Sequence, residues 1–180
     1  MIEQSESTDA RLSLPSELPE FGVLLGLDYG TKRVGVAVSD RDQKFSSPMH
    51  NLDRHGTQTD ERFFRRLTEE YRPVGMVVGL PIHLSGDESE KSREARSYAD
   101  WLASVTGLPF TFQDERFTSF LAERLLLEAE LSKKKRKARI DKLAAQILLQ
   151  TYLDVRTAAR EKLIAPPIAM YSDTNESCAL

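Results

Sequence analysis

Two unbroken apolar runs, VLLGL at residues 23–27 and VGMVVGL at residues 74–80, stand out along the chain. Runs of this length without alternation are read as strands covered on both faces. The first ends on a carboxylate, Asp28, and passes through the small polar turn Gly30, Thr31, Lys32, Arg33. Val34, Val36 and Val38 then alternate with Gly35, Ala37 and Ser39, which predicts a second strand and closes a hairpin. Residues 45–52 supply a short third strand that Pro48 assigns to an edge. Thr57 or Thr59 is the expected cap of a helix running to about Arg72, with Phe63, Phe64 and Leu67 on its buried side and Pro73 closing it. After the second apolar run, residues 81–87 form a loop, and Ala95, Tyr98, Ala99, Leu102 and Val105 mark a helix over residues 88–105 that Gly107 and Pro109 stop. Residues 110–113 form a last short strand ending on Asp114 and Glu115. Thr118 or Ser119 caps a helix carrying Leu121, Leu125 and Leu126. The charged residues 132–139 then interrupt it, and a final helix from Ile140 puts Leu143, Ala144, Ile147, Leu148 and Tyr152 on the core.

A hairpin followed by alternating helices and strands, in the order βββαβαβα with a further helix at the end, predicts an α/β fold with a mixed central sheet flanked by helices. At 180 residues, 40% of them hydrophobic and 29% charged, one domain with a full core is expected. Residues 1–20 are polar, contain Pro15 and Pro19, and are read as a disordered arm. The domain spans 21–165, and residues 166–180, opened by Pro166 and Pro167, form a flexible tail. The lone cysteine, Cys178, allows no internal disulfide, no apolar run approaches the roughly 20 residues of a membrane helix, and the first residues are acidic. A cytoplasmic protein with no membrane partner is expected. The net charge of −3 hides an asymmetry: Glu3, Glu6, Asp9, Glu17 and Glu20 against Arg11 leave the arm at −4, Asp173 and Glu176 leave the tail at −2, and the body therefore stands at +3. A mildly basic body is compatible with nucleic acid.

Three carboxylates fall at element ends: Asp28 after the first strand, Glu115 after the last, and Asp141 in the first turn of the final helix. Sites in α/β sheets form in the crevice outside strand ends. Taken singly, Asp28 equally suits bracing its turn, Glu115 an ion pair with Arg116, and Asp141 a favourable helix N-terminus. Taken together, three converging carboxylates repel one another unless a cation neutralises them, and hard oxygen donors select Mg²⁺ or Mn²⁺. Such ions serve in-line displacement at phosphate. The run Lys133, Lys134, Lys135, Arg136, Lys137 reads as a solvated loop on its own, yet it leads directly to Asp141 and would bring a polyanion there. His50, His55 and His83 show no metal-ligand spacing, and the chain lacks a P-loop, H-E-x-x-H or G-x-S-x-G motif.

The segments GLDYGTKRVGVAVSD, VVGLPIHLSGDESEKSREAR, FQDERFTSFLAERLL and RKARIDKLAAQILLQTYLD, in that order, resemble the YqgF/RuvX family of Holliday-junction-resolvase-like proteins over about residues 22–155. Members are regarded as nucleases that process the 5′ end of precursor 16S ribosomal RNA. The resemblance implies an RNase H-like fold and a metal-dependent phosphodiesterase site on Asp28, Glu115 and Asp141. Lys32, Arg33 and Arg116 are then expected to bind flanking phosphates, with Thr31 and Thr118 as further donors and residues 133–137 as a basic substrate-binding run. Two loops depart from the family's common pattern, His83 to Gly86 and Phe117 to Ser119. Branched DNA is the alternative substrate, and the chain is expected as a monomer or, for cutting two strands of a junction, a homodimer. Two other classes compete. The D-x-G-T hairpin also resembles the phosphate hairpin of actin and heat-shock ATPases, which pair two such domains around ATP. A non-catalytic RNA-binding factor in ribosome assembly would use only the basic run.

Overall fold

The computed structural model describes residues 18–49, 51–81, 89–114 and 133–164, the last of these as backbone alone over 133–142 and 162–164. Strands β1 (Leu24–Tyr29) and β2 (Arg33–Ser39) form the expected antiparallel hairpin, with Asp28 opposite Gly35 and Tyr29 opposite Val34. The expected third strand is two pieces, β3 (Ser46–Pro48) and β4 (Leu52–Asp53), both antiparallel to β2. Ala37 faces Pro48 and Val34 faces Leu52, so the register slips by one residue between the pieces. This is the signature of a bulge, placed just after a proline that cannot donate to the ladder.

Helix α1 (Thr57–Tyr71) buries Phe64 and Leu67 as its spacing requires. Its cap differs from the expected threonine. The chain enters through Gly56 at φ 128°, a conformation that glycine adopts freely, and no side chain caps the helix. Strand β5 (Gly75–Leu80) is buried along its whole length, as its continuous apolar run predicts. Helix α2 (Glu90–Thr106) starts at Ser89, whose hydroxyl accepts from the Ser92 N–H, and ends at Gly107 in the left-handed region. Strand β6 (Phe110–Asp114) follows. The helix expected from Thr118 or Ser119 lies outside the described residues. Helix α3 (Lys133–Ile164) is one continuous element of 32 residues. The basic run therefore forms its first turns rather than a break before it, because Lys and Arg are good helix formers however strongly they are solvated. Asp141 accordingly sits in the helix interior, beyond the first turn.

The sheet order is β3-β2-β1-β5-β6, with β4 also beside β2. β5 is parallel to β1, and β6 is parallel to β5. An antiparallel meander continued by parallel strands is the arrangement of an RNase H-like fold. Side-chain alternation divides the core between the two faces. Leu25, Leu27, Val36, Met76 and Val78 pack under α1 and α2 with Phe64 and Leu102. Leu24, Ala37 and Val77 pack under α3 with Leu148, Leu149 and Leu153. Leu18 belongs to this second cluster at 2% exposure, and the Arg156 guanidinium donates to the carbonyls of Leu18 and Pro19. Residues 18–20, assigned by sequence to the arm, are thus part of the folded body. At the β3 edge the Ser46 N–H donates to Gln150 Oε1 at 2.8 Å, and Gln146 Nε2 donates to the Ser46 carbonyl at 2.9 Å.

Candidate active site

Asp28 is the next-to-last residue of β1 and lies on the α3 face, in step with Leu24 and Gly26. It is half-buried rather than wholly enclosed. Two glycines let α3 lie directly on this part of the sheet. A Cβ on Gly26 would meet Leu149 Cβ at 2.6 Å, and one on Gly35 would meet both Ala145 Cβ and Asp28 Cβ at 3.3 Å. The helix therefore descends past Asp28: Leu149 sits over Gly26, and Ala145, one turn earlier, sits over Gly35 beside Asp28. Asp141 is four residues before Ala145, one further turn towards the strand ends along the same helical face.

The parallel strands bring the third position to the same edge. Leu27 is level with Val78, Val78 with Phe112, and Leu80 with Asp114. β1 and β6 are two strand spacings apart, about 10 Å. Phe110 and Phe112 pack on the α1–α2 side, so Thr111 and Gln113 take the α3 side of β6. Glu115, Arg116 and Thr118 lie outside the described residues, as do the side chains of Asp141 and residues 133–137. Among the described residues no group of three acidic, histidine or cysteine side chains could hold a metal. Asp28 offers a hard oxygen donor of the kind such an ion takes, packed beside Gly35, whose added Cβ would lie 3.7 Å from Asp28 Oδ2 and 3.3 Å from Asp28 Cβ and Ala145 Cβ. Thr31, Lys32 and Arg33 are exposed on the turn next to it. Arg33 Nε is 2.8 Å from Asp53 Oδ1 in an exposed pair, a contact worth at most about 1 kcal/mol and open to competition by phosphate.

The family model described as "RuvX: Holliday junction resolvase" matches residues 22–155. The chain belongs to the RuvX family. Among curated relatives, a protein of Rhodopirellula baltica is 42% identical over 136 residues, covering 76% of this chain and 79% of that one. A protein of Lactococcus lactis subsp. lactis is 42% identical over 137 residues, covering 74% and 95%. Both carry the provisional name pre-16S rRNA nuclease. Among solved structures, T. thermophilus RuvC in complex with Holliday junction substrate matches 76% of this chain and 96% of that chain at 14% identity and a TM-score of 0.46, too distant a likeness to bear on substrate. No described helix of this RuvX chain is long and apolar enough to cross a membrane.

The other face of the same strand ends holds a network that the sequence did not reveal. Arg54, in the link between β4 and α1, lies over the rings of Tyr29 and Tyr98 at 5.2 and 4.7 Å. Its Nε is 3.1 Å from Oδ2 of Asp60, and its Nη1 donates to the Tyr29 hydroxyl at 3.1 Å. The Tyr98 hydroxyl donates to the same Asp60 Oδ2 at 3.3 Å, and the Tyr29 hydroxyl donates to Glu94 at 3.4 Å. Burial works against the Arg54 charge, but hydrogen bonds to Tyr29 and Asp60 outweigh it and hold the guanidinium protonated. Burial pushes the Tyr98 phenol far above its usual range, the Asp60 carboxylate adds to this, and Arg54 opposes it. A phenol whose pKa is raised on folding stabilises the fold fully below its unfolded value, about pH 10, and that contribution is lost as pH rises beyond it. Denaturant unfolding of the wild type at about pH 9 and about pH 11 is expected to show this alkaline loss, and Tyr98→Phe is expected to flatten it. Equal pH slopes in the two proteins would exclude Tyr98 as the source.

Proposed function

We propose that this RuvX-family chain is a divalent-metal-dependent endonuclease that processes the 5′ end of precursor 16S rRNA in the cytoplasm during ribosome biogenesis. The observation that carries the reading is the position of Asp28, at the common C-terminal edge of β1, β5 and β6 and on the face covered by α3. In this reading Glu115, which follows β6 in sequence, and Asp141 complete a carboxylate set with Asp28. Mg²⁺ or Mn²⁺, when bound there, supplies Lewis-acid stabilisation of a phosphate undergoing in-line attack by water. Asp28 fixes the strand-side donor, and its half-burial keeps it oriented. Lys32 and Arg33, with Thr31, hold the phosphate flanking the scissile one. Arg116 and Thr118 add further phosphate donors, and Lys133, Lys134, Lys135, Arg136 and Lys137, in the first turns of α3, hold more distant phosphates.

The family description, which names a Holliday junction resolvase, favours branched DNA as a second substrate reading. Labelled precursor 16S 5′-leader RNA and a four-way DNA junction, each incubated with Mg²⁺, Mn²⁺ or EDTA, separate the two. Metal-dependent cutting of the RNA alone is the expected result. Cutting of the junction alone would move the assignment to a resolvase, and binding of either without cutting would replace it with a binding factor.

A further inference from the structure

Two joined cavities open at the strand ends on the sheet face opposite α3. One, of about 710 Å³, lies over the β1–β2 turn and is bordered by Lys32, Arg33 and Lys91 with Asp53. The other, of about 570 Å³, continues between α1 and α2 over Tyr98 and Trp101. Tyr29 and Arg54 line both. The outer cavity carries an excess of positive charge and suits phosphate. Along the inner one the balance reverses: Asp60, Glu90 and Glu94 stand against Arg54 and Arg93. Its walls hold a row of aromatic rings, with Tyr29 to Tyr98 at 5.0 Å and Tyr98 to Trp101 at 5.3 Å between centroids.

Carboxylates repel phosphate, but they accept hydrogen bonds from amino groups, and aromatic rings stack on bases. Asp60 lies beneath. It is wholly buried, its Oδ2 is occupied by Arg54 and Tyr98, and its Oδ1 has no hydrogen-bond partner among the described residues. A buried carboxylate oxygen left without a donor is costly. It lines a cavity whose mouth is built for a polyanion.

We infer that the inner cavity receives an unpaired base of the nucleic acid whose phosphates lie on Lys32, Arg33 and Lys91. The base stacks against Trp101 and offers exocyclic amino hydrogens to Glu94, while Asp60, buried beneath, holds Arg54 and Tyr98 in place. The inference rests on the proposed nucleic-acid substrate and adds a recognition element to it. The strand is held on one sheet face while the α3 face acts on it. Unpaired strands are the form of RNA whose bases can be splayed out and read in this way.

Trp101 is the only tryptophan in the chain, so tryptophan emission, excited selectively over the tyrosines, reports on this cavity. The test titrates wild type in EDTA with oligo(rC) and oligo(rU) of equal length and follows Trp101 emission, with fluorescence anisotropy of labelled RNA alongside. Saturable quenching is expected, about tenfold tighter for oligo(rC), because cytosine presents an amino group where uracil presents a carbonyl and one hydrogen bond to a charged acceptor is worth about that ratio. Ser97 is exposed on α2 and lines the cavity, so Ser97→Phe fills the space without touching the core. It is expected to abolish quenching and to lower oligo(rC) affinity to that of oligo(rU), with an unchanged Tm. RNA binding seen by anisotropy with no change in Trp101 emission would overturn the inference. So would equal affinities for the two oligomers, or free cytidine monophosphate binding as tightly as the oligomer. Because no metal is present, the result is independent of cleavage. Quenching by a protein that cuts nothing in Mg²⁺ would retain the base cavity and sink the nuclease, and cutting without quenching would do the reverse.

Discussion

Asp28→Asn is expected to lower metal-dependent cleavage by about 10²- to 10³-fold, the usual cost of removing one group that stabilises developing charge. Asparagine keeps the shape of the side chain but carries no charge, so packing beside Gly35 and Ala145 is preserved while a hard anionic donor is lost. Asp28 is only half-buried, and in the absence of metal its charge adds to any repulsion from neighbouring carboxylates. The Tm of the variant in EDTA should stay close to that of the wild type. Adding Mg²⁺ should raise the wild-type Tm and leave the variant's unchanged, since a ligand that binds only the folded state stabilises it by mass action. Wild-type cleavage rates in the variant would remove Asp28 from the site.

The largest effect on stability is expected from Gly26→Ala. The new methyl would stand 2.6 Å from Leu149 Cβ and 3.1 Å from the Ala145 carbonyl oxygen, both on α3. Neither atom belongs to the free end of a flexible side chain, so the helix must back away from the sheet. Overpacking of this kind costs about 1–3 kcal/mol, which for a domain of this size is a fall in Tm of roughly 2–12 °C. The displaced helix also carries Asp141 relative to Asp28, so cleavage should fall even at temperatures where the variant remains folded. Gly35→Ala is the informative companion. Its contacts at 3.3 Å are tight but tolerable, and they fall on Asp28 itself, so stability should drop less than activity. A Gly26→Ala protein with wild-type Tm by calorimetry would show that α3 does not rest on β1 as described.

The sheet was legible from sequence because its strands have only one reading. A six-residue apolar run such as Gly75–Leu80 has to be covered on both faces, and a hairpin is the economical way to join Leu24–Tyr29 to Arg33–Ser39. The place of Asp28 near the end of a core strand was legible for the same reason, since an acid there stands out against the apolar run before it. The errors share a cause. Helix starts depend on local dihedral angles, and Gly56 supplies an entry that the threonines around it do not signal. Lysine density hid the start of α3, because charge reports solvation while helix formation depends on backbone and rotamer entropy. Arg54 and Asp60 carry no periodic signature at all. One lies in a connection and the other in a helical first turn, and only the tertiary fold sets Tyr29 and Tyr98 beside them.

The glutamine clamp on β3 has a consequence for how this protein behaves in concentrated solution. An edge strand ordinarily offers its backbone N–H and C=O groups to any other chain that arrives in extended form. Here Gln150 accepts from Ser46 N–H and donates to the Lys44 carbonyl, and Gln146 donates to the Ser46 carbonyl. The groups that a stray strand would need are already spoken for by a helix of the same molecule. Together with Pro48, which offers no N–H, this makes the β3 margin a poor template for edge-to-edge aggregation. The polar face of α3 thereby protects solubility at one margin of the sheet while its apolar face completes the core.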